Sequence, residues 1–174
     1  MSSLISKTIK MRLVEEHDAE FILSLRLDEK YSTYLTKVES DLDRQKSWIK
    51  EYKKSEQEKK QFYFIIERLD GCACGTVRLY DFREHSFSWG SWILNQDKTR
   101  YSAIESALMV YKYGFEYLGF MKSHFEVMKG NEKVVAFHEK MGARRVGEDE
   151  VNFYFEINKP QIDIVRANFI GKII

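Results

Sequence analysis

The sequence predicts a single mixed α/β domain spanning residues 1–174, built on a mostly antiparallel sheet. The chain contains one proline and has no repeat or low-complexity stretch, so no linker divides it. Three runs rich in β-branched and aromatic residues follow one another across short turns, which favours an antiparallel meander. Helical patterns of apolar residues precede and follow this meander, and we therefore expect helices to flank the sheet.

The elements before the meander are a strand and two helices. Residues 7–14 mix β-branched and polar side chains, which is typical of a strand. Apolar residues recur at helical spacing after Asp18, and 41–60 has a second, more strongly charged helical pattern. The sequence therefore predicts one strand and two helices ahead of the meander.

The meander has three strands, 61–67, 73–80 and 86–94, separated by Asp70-Gly71 and by residues 81–85. Connections this short cannot hold a crossover helix, so neighbouring strands should be antiparallel.

The remaining elements alternate between helices and strands. We predict helices at 98–118 and 132–141 and strands at 124–128, 144–148 and 151–157. The strands 86–94 and 124–128 should be parallel, because a helix connects them by a right-handed crossover. Together, the predicted elements form a seven-stranded sheet with about four helices.

The charge balance and the hydropathy pattern exclude several classes of protein. Lys and Arg total 28 against 27 Asp and Glu, whereas a nucleic-acid binder needs a basic excess or stripe. No apolar run is long enough for a signal-peptide core or a membrane span, so we expect a cytoplasmic protein without membrane contact. Cys72 and Cys74 have no second Cys/His cluster beside them, so we expect strand thiols and no metal.

The strongest functional signal lies in residues 88–120. A strand leads through a polar loop into the start of a long helix, where backbone N–H groups and the helix dipole favour an anion such as pyrophosphate. Lys98 and Arg100 add two cations just before that start. An ordinary strand–loop–helix with two exposed cations explains this pattern equally well.

Two phrases of the sequence resemble the GCN5-related N-acetyltransferases (GNAT), and within them the ribosomal-protein N-acetyltransferase branch. In that branch a strand glycine precedes a loop of the type R-G-K-G-Y-G/A, a T-E-A-L segment and a Y-A-F-E-x-L-G phrase. Gly90 and the segments 98–103, 104–107 and 113–119 match these positions without a gap. Residues 131–143 are similar to the family's N-x-x-A-x-x-(F/L)-Y-E-K-x-G-F.

The resemblance implies a GNAT fold, in which one parallel pair of strands splays apart, and it implies acetyl-CoA as co-substrate in that notch. Pantetheine would pair with the backbone at 92–94, and the pyrophosphate would lie on the N–H groups of 100–103. The implied cofactor-binding residues are Trp92, Ile93, Leu94, Lys98, Arg100, Tyr101, Ser102, Ala103 and Asn131.

Three residues depart from the family pattern. Thr99 and Tyr101 replace glycines in the loop, which could weaken or merely reshape the cofactor site. Ser88 replaces a glutamate that often serves as base, and a serine cannot do so unaided. A non-catalytic relative that binds an acyl-CoA or a partner protein therefore stays as an alternative.

The resemblance implies direct transfer and suggests Glu126 and His138 as the catalytic residues. In the amino-sugar N-acetyltransferases of the pseudaminic acid pathway, the proposed base is a glutamate twelve residues before the tyrosine of an F-Y-E-K phrase. Glu126 stands at the same distance before His138 in this sequence. An ordinary strand carboxylate explains Glu126 equally well. His138 replaces the tyrosine that protonates the CoA thiolate, and a histidine could do so at neutral pH. Structural or surface roles are expected for His124, His17 and His85.

The candidate acceptor-binding residues are Arg78, Tyr80 and Ser88, beside the loops of the meander. Most aromatic residues there must be core, but this group could line a pocket for a nucleotide base or a sugar ring. We expect a primary amine of a small molecule as acceptor and favour a nucleotide-linked amino sugar. A protein N-terminal amine or a polyamine is the alternative.

The oligomeric state is open at the level of sequence. An apolar tail could pack at a homodimer interface as easily as on its own core; it includes Phe169, Ile170, Ile173 and Ile174.

Overall fold

Eight strands form one sheet in the computed structural model, which describes residues 3–169. They are β1 (Ser3–Ile5), β2 (Ile9–Leu13), β3 (Phe62–Arg68), β4 (Ala73–Tyr80), β5 (Ser86–Leu94), β6 (Lys122–Met128), β7 (Arg144–Glu148) and β8 (Asn152–Asn158). Their order across the sheet is β1-β2-β3-β4-β5-β6-β8-β7, and only β5 and β6 are parallel.

Helices cover both faces of this sheet. They are α1 (Ala19–Leu27), α2 (Glu29–Ser32), α3 (Leu42–Gln57), α4 (Ser102–Lys112), α5 (Glu132–Lys140) and α6 (Lys159–Phe169). On one face, α1 and α3 bury Tyr63 and Ile65 of β3, while the intervening Phe64 faces the larger core that includes α4. Successive side chains of a strand point to opposite faces, which explains how β3 serves both cores.

The predicted mixed α/β fold and its parallel crossover are confirmed, with differences at the ends of the chain. The prediction of seven strands omitted β1, because three residues are too short to show a periodic pattern. The prediction of about four helices omitted the short α2 and the helix α6. Of the predicted apolar tail, Phe169 ends α6 and 170–174 lie outside the described residues.

The predicted helix 98–118 begins later and changes its winding. It starts at Ser102, and a π-helical turn, Tyr113–Tyr117, follows α4. A Cβ at Gly114 would lie 2.2 Å from the ring of Phe87, so only glycine allows this turn to pack so closely on β5. Within residues 3–169, no helix has both the length and the apolarity needed to cross a membrane.

The parallel strands β5 and β6 separate almost as soon as they pair. Ser86 pairs with Lys122 and Phe87 with Ser123, and no further pair of β5 with β6 is found among the described residues. On its other side β5 carries a bulge at Ser91, whose φ is +48°. Bulges bend a strand and are common beside active sites, so this one helps to direct β5 away from β6.

Candidate active site

A groove of about 90 Å³ opens where β5 and β6 separate. Its walls come from both strands, the start of α5 and the chain after α2: Trp89, Gly90, Ser91, Trp92, Phe125, Glu126, Val127, Met128, Asn131, Val134, His138, Tyr34 and Leu35. The groove thus brings together Glu126 and His138, the two predicted catalytic residues, with Trp92 and Asn131 from the predicted cofactor set. Sequence reasoning missed Tyr34, Leu35 and Ser91, because neither a loop position nor a positive φ leaves a pattern in the sequence.

The predicted pantetheine strand keeps one open edge. Ile93 and Leu94 pair with β4, and Nε1 of Trp92 donates a hydrogen bond to Ser106 Oγ of α4 at 3.1 Å. From Ser88 onward, the edge of β5 that faces β6 has no strand partner within residues 3–169. Unpaired backbone groups on such an edge can bind an extended ligand that carries amides.

Thr99, which replaces a glycine of the family pattern, stabilises the start of α4 through hydrogen bonds on the side that faces the protein. Thr99 Oγ1 lies 2.7 Å from Thr8 Oγ1 and 2.7 Å from Ser102 Oγ, while its N–H donates to Ser102 Oγ at 2.8 Å. The fully buried Glu105 of α4 accepts a hydrogen bond from the Thr8 N–H at 2.8 Å, which ties the start of α4 to the turn between β1 and β2. Thr99 is therefore turned into the protein and does not cover the helix start.

The outward side of this helix start fits a phosphate in most respects. Lys98 and Arg100 are exposed, and the Arg100 guanidinium lies 5.2 Å from the ring of Tyr101. The Ser102 N–H already donates to the Thr99 carbonyl at 3.2 Å, so Ser102 contributes less to the predicted cradle than expected. Ala103 lies in the first turn of α4, where backbone N–H groups in general have no intrahelical partner.

His138 is buried in aromatic side chains at the inner end of the groove. It is 4% exposed, and its ring centroid lies 4.3 Å from that of Phe125 and 5.3 Å from that of Trp89. Its Nδ1 has no hydrogen-bond partner among the described residues. Burial lowers the pKa of His138 to about 3, so the ring is neutral at physiological pH. The neutral ring holds one N–H proton, and the expected role of His138 as an acid toward the CoA thiolate stays a prediction.

A second cavity, of about 210 Å³, lies on the α1/α3 face of the sheet beyond the groove. We call it the Ser88 cavity; it is lined by Tyr80, Asp81, Arg83, Ser88, His124, Phe125, Glu126, Val146, Tyr154, Phe155 and Glu156. Two of the three predicted acceptor residues, Tyr80 and Ser88, therefore share one cavity with the exposed Glu126. Arg78 does not line it: its guanidinium packs 4.7 Å from the Tyr80 ring and faces a neighbouring cavity.

His124 lines the Ser88 cavity, whereas the sequence predicts only a structural or surface role for it. Its Nε2 is 2.9 Å from Asp81 Oδ2, and its Nδ1 hydrogen-bonds to Ser86 Oγ. The hydrogen bond with His124 lowers the pKa of Asp81. Both ring nitrogens are thus engaged, and His124 joins the β4–β5 connection to β6. The two other histidines for which a structural or surface role is expected, His17 and His85, are exposed.

The cysteines form no metal site in the described chain. Within residues 3–169, no group of three His, Cys, Asp or Glu side chains is arranged to hold a metal ion. Cys74 is buried in β4, where burial raises the pKa of its thiol to about 11. Cys72 lies just before the strand and is half-buried.

Comparison with known proteins places this geometry in a family. The acetyltransferase (GNAT) domain matches residues 8–144 of the chain. A solved structure described as "Apo FdhC- a nucleotide-linked sugar GNAT" is 50% identical, with a TM-score of 0.90 over 97% of this chain and 96% of that one. No curated protein sequence matches the chain.

Two further solved structures share the fold at low identity. One is a ribosomal-protein-S5-alanine acetyltransferase from Vibrio fischeri, with 14% identity and a TM-score of 0.78 over 91% of this chain and 97% of that one. The other is a spermidine N-acetyltransferase from Vibrio cholerae, crystallised with CoA and spermine, with 19% identity and a TM-score of 0.75 over 88% of this chain and 97% of that one. The domain match and the 50% identical structure show that this chain belongs to the GNAT acetyltransferase family.

Proposed function

We propose that this chain transfers an acetyl group from acetyl-CoA to a primary amine of a small molecule, an amino sugar carried on a nucleotide. The observation that carries the proposal is the position of Glu126. This carboxylate lines both the groove between β5 and β6 and the Ser88 cavity. A proton acceptor at the junction of two cavities suits a reaction between a donor in one and an amine in the other.

The groove and the start of α4 fit the donor. The open edge of β5 offers backbone groups to pantetheine, and the first turn of α4 with Lys98 and Arg100 offers N–H groups and positive charge to the phosphates. Asn131 lines the groove at the start of α5. When bound, acetyl-CoA supplies the activated acetyl group as a thioester.

The chemistry assigned to the protein is mainly the removal of a proton. Glu126 accepts a proton from the acceptor ammonium, directly or through water, because it is exposed to the cavity. The amine nitrogen then bonds to the acetyl carbon as the carbon–sulfur bond breaks, and the second proton that the nitrogen loses goes to the sulfur. The neutral His138 can donate one hydrogen bond into the groove, and Ser88 provides a hydroxyl for orienting the acceptor.

The nucleotide-linked sugar as acceptor is supported by the 50% identical structure described as a nucleotide-linked sugar GNAT. A polyamine is the second candidate, because three carboxylates line the Ser88 cavity: Asp81, Glu126 and Glu156. Two of these already have cationic or histidine partners, since Asp81 pairs with Arg83 and His124 while Glu156 pairs with Lys122. Among the described carboxylates that line the cavity, only Glu126 is left for an incoming ammonium, which favours an acceptor with one amine.

Steady-state kinetics with Glu126→Gln tests the proposal. We expect kcat to fall roughly 100-fold to 10,000-fold, the usual range for loss of a general base, with little change in the Kd for acetyl-CoA. The exposed Glu150→Gln is the matched control. Free-thiol release should be measured over a panel of amino-sugar nucleotides, polyamines and peptides. An unchanged kcat in Glu126→Gln would show that this residue is not the general base. The absence of acetyl-CoA binding in the wild type would refute the proposed acetyltransferase function.

A further inference from the structure

A cavity of about 240 Å³ lies between the sheet and the helices α1 and α3, apart from the groove and the Ser88 cavity. The polar and aromatic residues that shape it include Arg26, Trp48, Tyr63, Arg78 and Ser91. Among the described residues that line it, none is an Asp or a Glu. The cavity therefore holds two cationic side chains and no acid.

Two buried donors in this cavity have no partner within residues 3–169. They are the hydroxyl of Tyr63, a residue only 2% exposed, and Nε of Arg26. Thr76 and Arg26 lie close enough to this hydroxyl to lower the pKa of Tyr63 against the effect of burial, but neither forms a hydrogen bond of good geometry with it. Burial raises the pKa of the Tyr63 phenol, so the group remains a neutral O–H donor. A buried donor without a partner costs free energy, typically about 1–3 kcal/mol, and such groups are rare in folded proteins. A ligand that accepts hydrogen bonds would remove this cost.

Arg78 is held in place in a way that leaves most of its donors available. Its Nε donates to Gln61 Oε1 at 2.7 Å, and its guanidinium carbon lies 4.7 Å from the ring centroid of Tyr80 and 5.6 Å from that of Trp48. Burial lowers the pKa of Arg78. Arg26 Nη2 donates to the Thr36 carbonyl, and no ion pair of Arg26 or Arg78 with a carboxylate is found within residues 3–169. A fixed guanidinium without a carboxylate is the donor set that phosphate oxygens fit best.

The position of this cavity links it to the two others. Ser91, at the bulge of β5, lines both this cavity and the groove. Arg78 packs on Tyr80, which lines the Ser88 cavity. A ligand with its amine near Glu126 could therefore extend across the Arg78–Tyr80 pair and reach Arg26.

We infer that the cavity formed by Arg26, Tyr63 and Arg78 binds a phosphate or diphosphate group, and that this group is part of the acceptor. That this group belongs to the acceptor rests on the proposed function. That the cavity binds an anion rests on the donors and cations of Arg26, Tyr63 and Arg78 alone. Two guanidinium groups and a phenol hydroxyl provide the charge and the donors for a diphosphate at one end of the acceptor.

Isothermal titration of the full chain with uridine diphosphate, and separately with inorganic pyrophosphate, tests the anion site without acetyl-CoA. We expect both to bind, with affinity that decreases as salt increases. Arg26→Gln should weaken binding at least 10-fold. Tyr63→Phe should weaken it several-fold without loss of thermal stability, because it removes a hydroxyl that has no partner. Arg68→Gln is the control, since Arg68 is a surface residue paired with Asp70, and it should bind like the wild type.

The outcomes separate this inference from the proposed function. A Kd above the millimolar range for both probes, or equal affinity in the wild type, Arg26→Gln and Tyr63→Phe, would overturn the anion site. Loss of probe binding in Arg26→Gln with an unchanged Kd for acetyl-CoA supports it, and tighter binding of the nucleotide than of pyrophosphate supports an acceptor that carries a nucleotide. Failure of acetyl transfer in a wild type that still binds the probes would refute the proposed function alone.

Discussion

His124 and Asp81 are joined across the Ser88 cavity, with 2.9 Å between Nε2 of the imidazole and Oδ2 of the carboxylate. The other ring nitrogen hydrogen-bonds to Ser86 at the start of β5. His124 lies on β6, whereas Asp81 follows the last residue of β4. The pair therefore fixes the β4–β5 connection against β6 at the point where the strands begin to separate.

Asp81→Asn should loosen this connection and impair binding of the acceptor more than that of the donor. We expect the KM for the acceptor to rise roughly threefold to tenfold, the range for loss of one charge-assisted hydrogen bond. The Kd for acetyl-CoA should not change, because the groove lies on the other side of Glu126. Asp70→Asn, in the exposed turn between β3 and β4, is the control. An unchanged KM for the acceptor would show that the His124–Asp81 pair has no part in its binding.

Thr99→Gly restores the glycine that related loops carry, and we expect it to weaken acetyl-CoA binding. The Thr99 side chain holds the start of α4 through Thr8 and Ser102, at 2.7 Å in each case. Loss of these bonds costs about 1 kcal/mol each, and glycine adds flexibility to the loop. Calorimetry with acetyl-CoA should show a Kd several-fold higher.

Thr99→Ser provides the matched control for that experiment, because it keeps the hydroxyl and should bind acetyl-CoA like the wild type. A lower Kd in Thr99→Gly would mean instead that the threonine obstructs the phosphate site, as the departure from the family pattern first suggested.

The burial of His138 should make the stability of the fold depend on pH. The pKa is about 3 in the folded protein against about 6.5 in an unfolded chain, so the unfolded state binds the proton first as pH falls. The contribution to the free energy of unfolding is constant above pH 6.5 and decreases below it, until the folded pKa is reached. The slope approaches about 1.4 kcal/mol per pH unit.

Urea unfolding between pH 5 and 6.5 measures this slope. His138→Phe should make it shallower, because the phenyl ring fits the same aromatic surroundings and does not titrate. His85→Gln alters an exposed histidine and should leave the slope unchanged. Equal slopes for the wild type and His138→Phe would show that His138 is not held neutral by the fold.

The sequence predicted those parts of the fold and the site that depend on local pattern. The meander, the crossover and the helix near 102 follow from periodicity and turn residues, which act over short distances along the chain. Glu126 and His138 were predicted as catalytic residues from the resemblance to family sequence motifs, and both line one groove in the structure. Of the three predicted acceptor residues, Tyr80 and Ser88 line one cavity, whereas Arg78 lines a different one.

The amino-acid sequence by itself determined the fold class, the family and the helix start at which a phosphate could bind, because composition and spacing encode local structure and homology directly. The tertiary structure decided the properties that depend on surroundings. It showed that His138 is buried among aromatic side chains, that Thr99 faces inward, that His124 hydrogen-bonds to Asp81, and that Arg26 and Arg78 share a cavity with no carboxylate among its described residues. The physical reason is that desolvation and hydrogen bonding between residues far apart in the chain arise only once the elements have packed together.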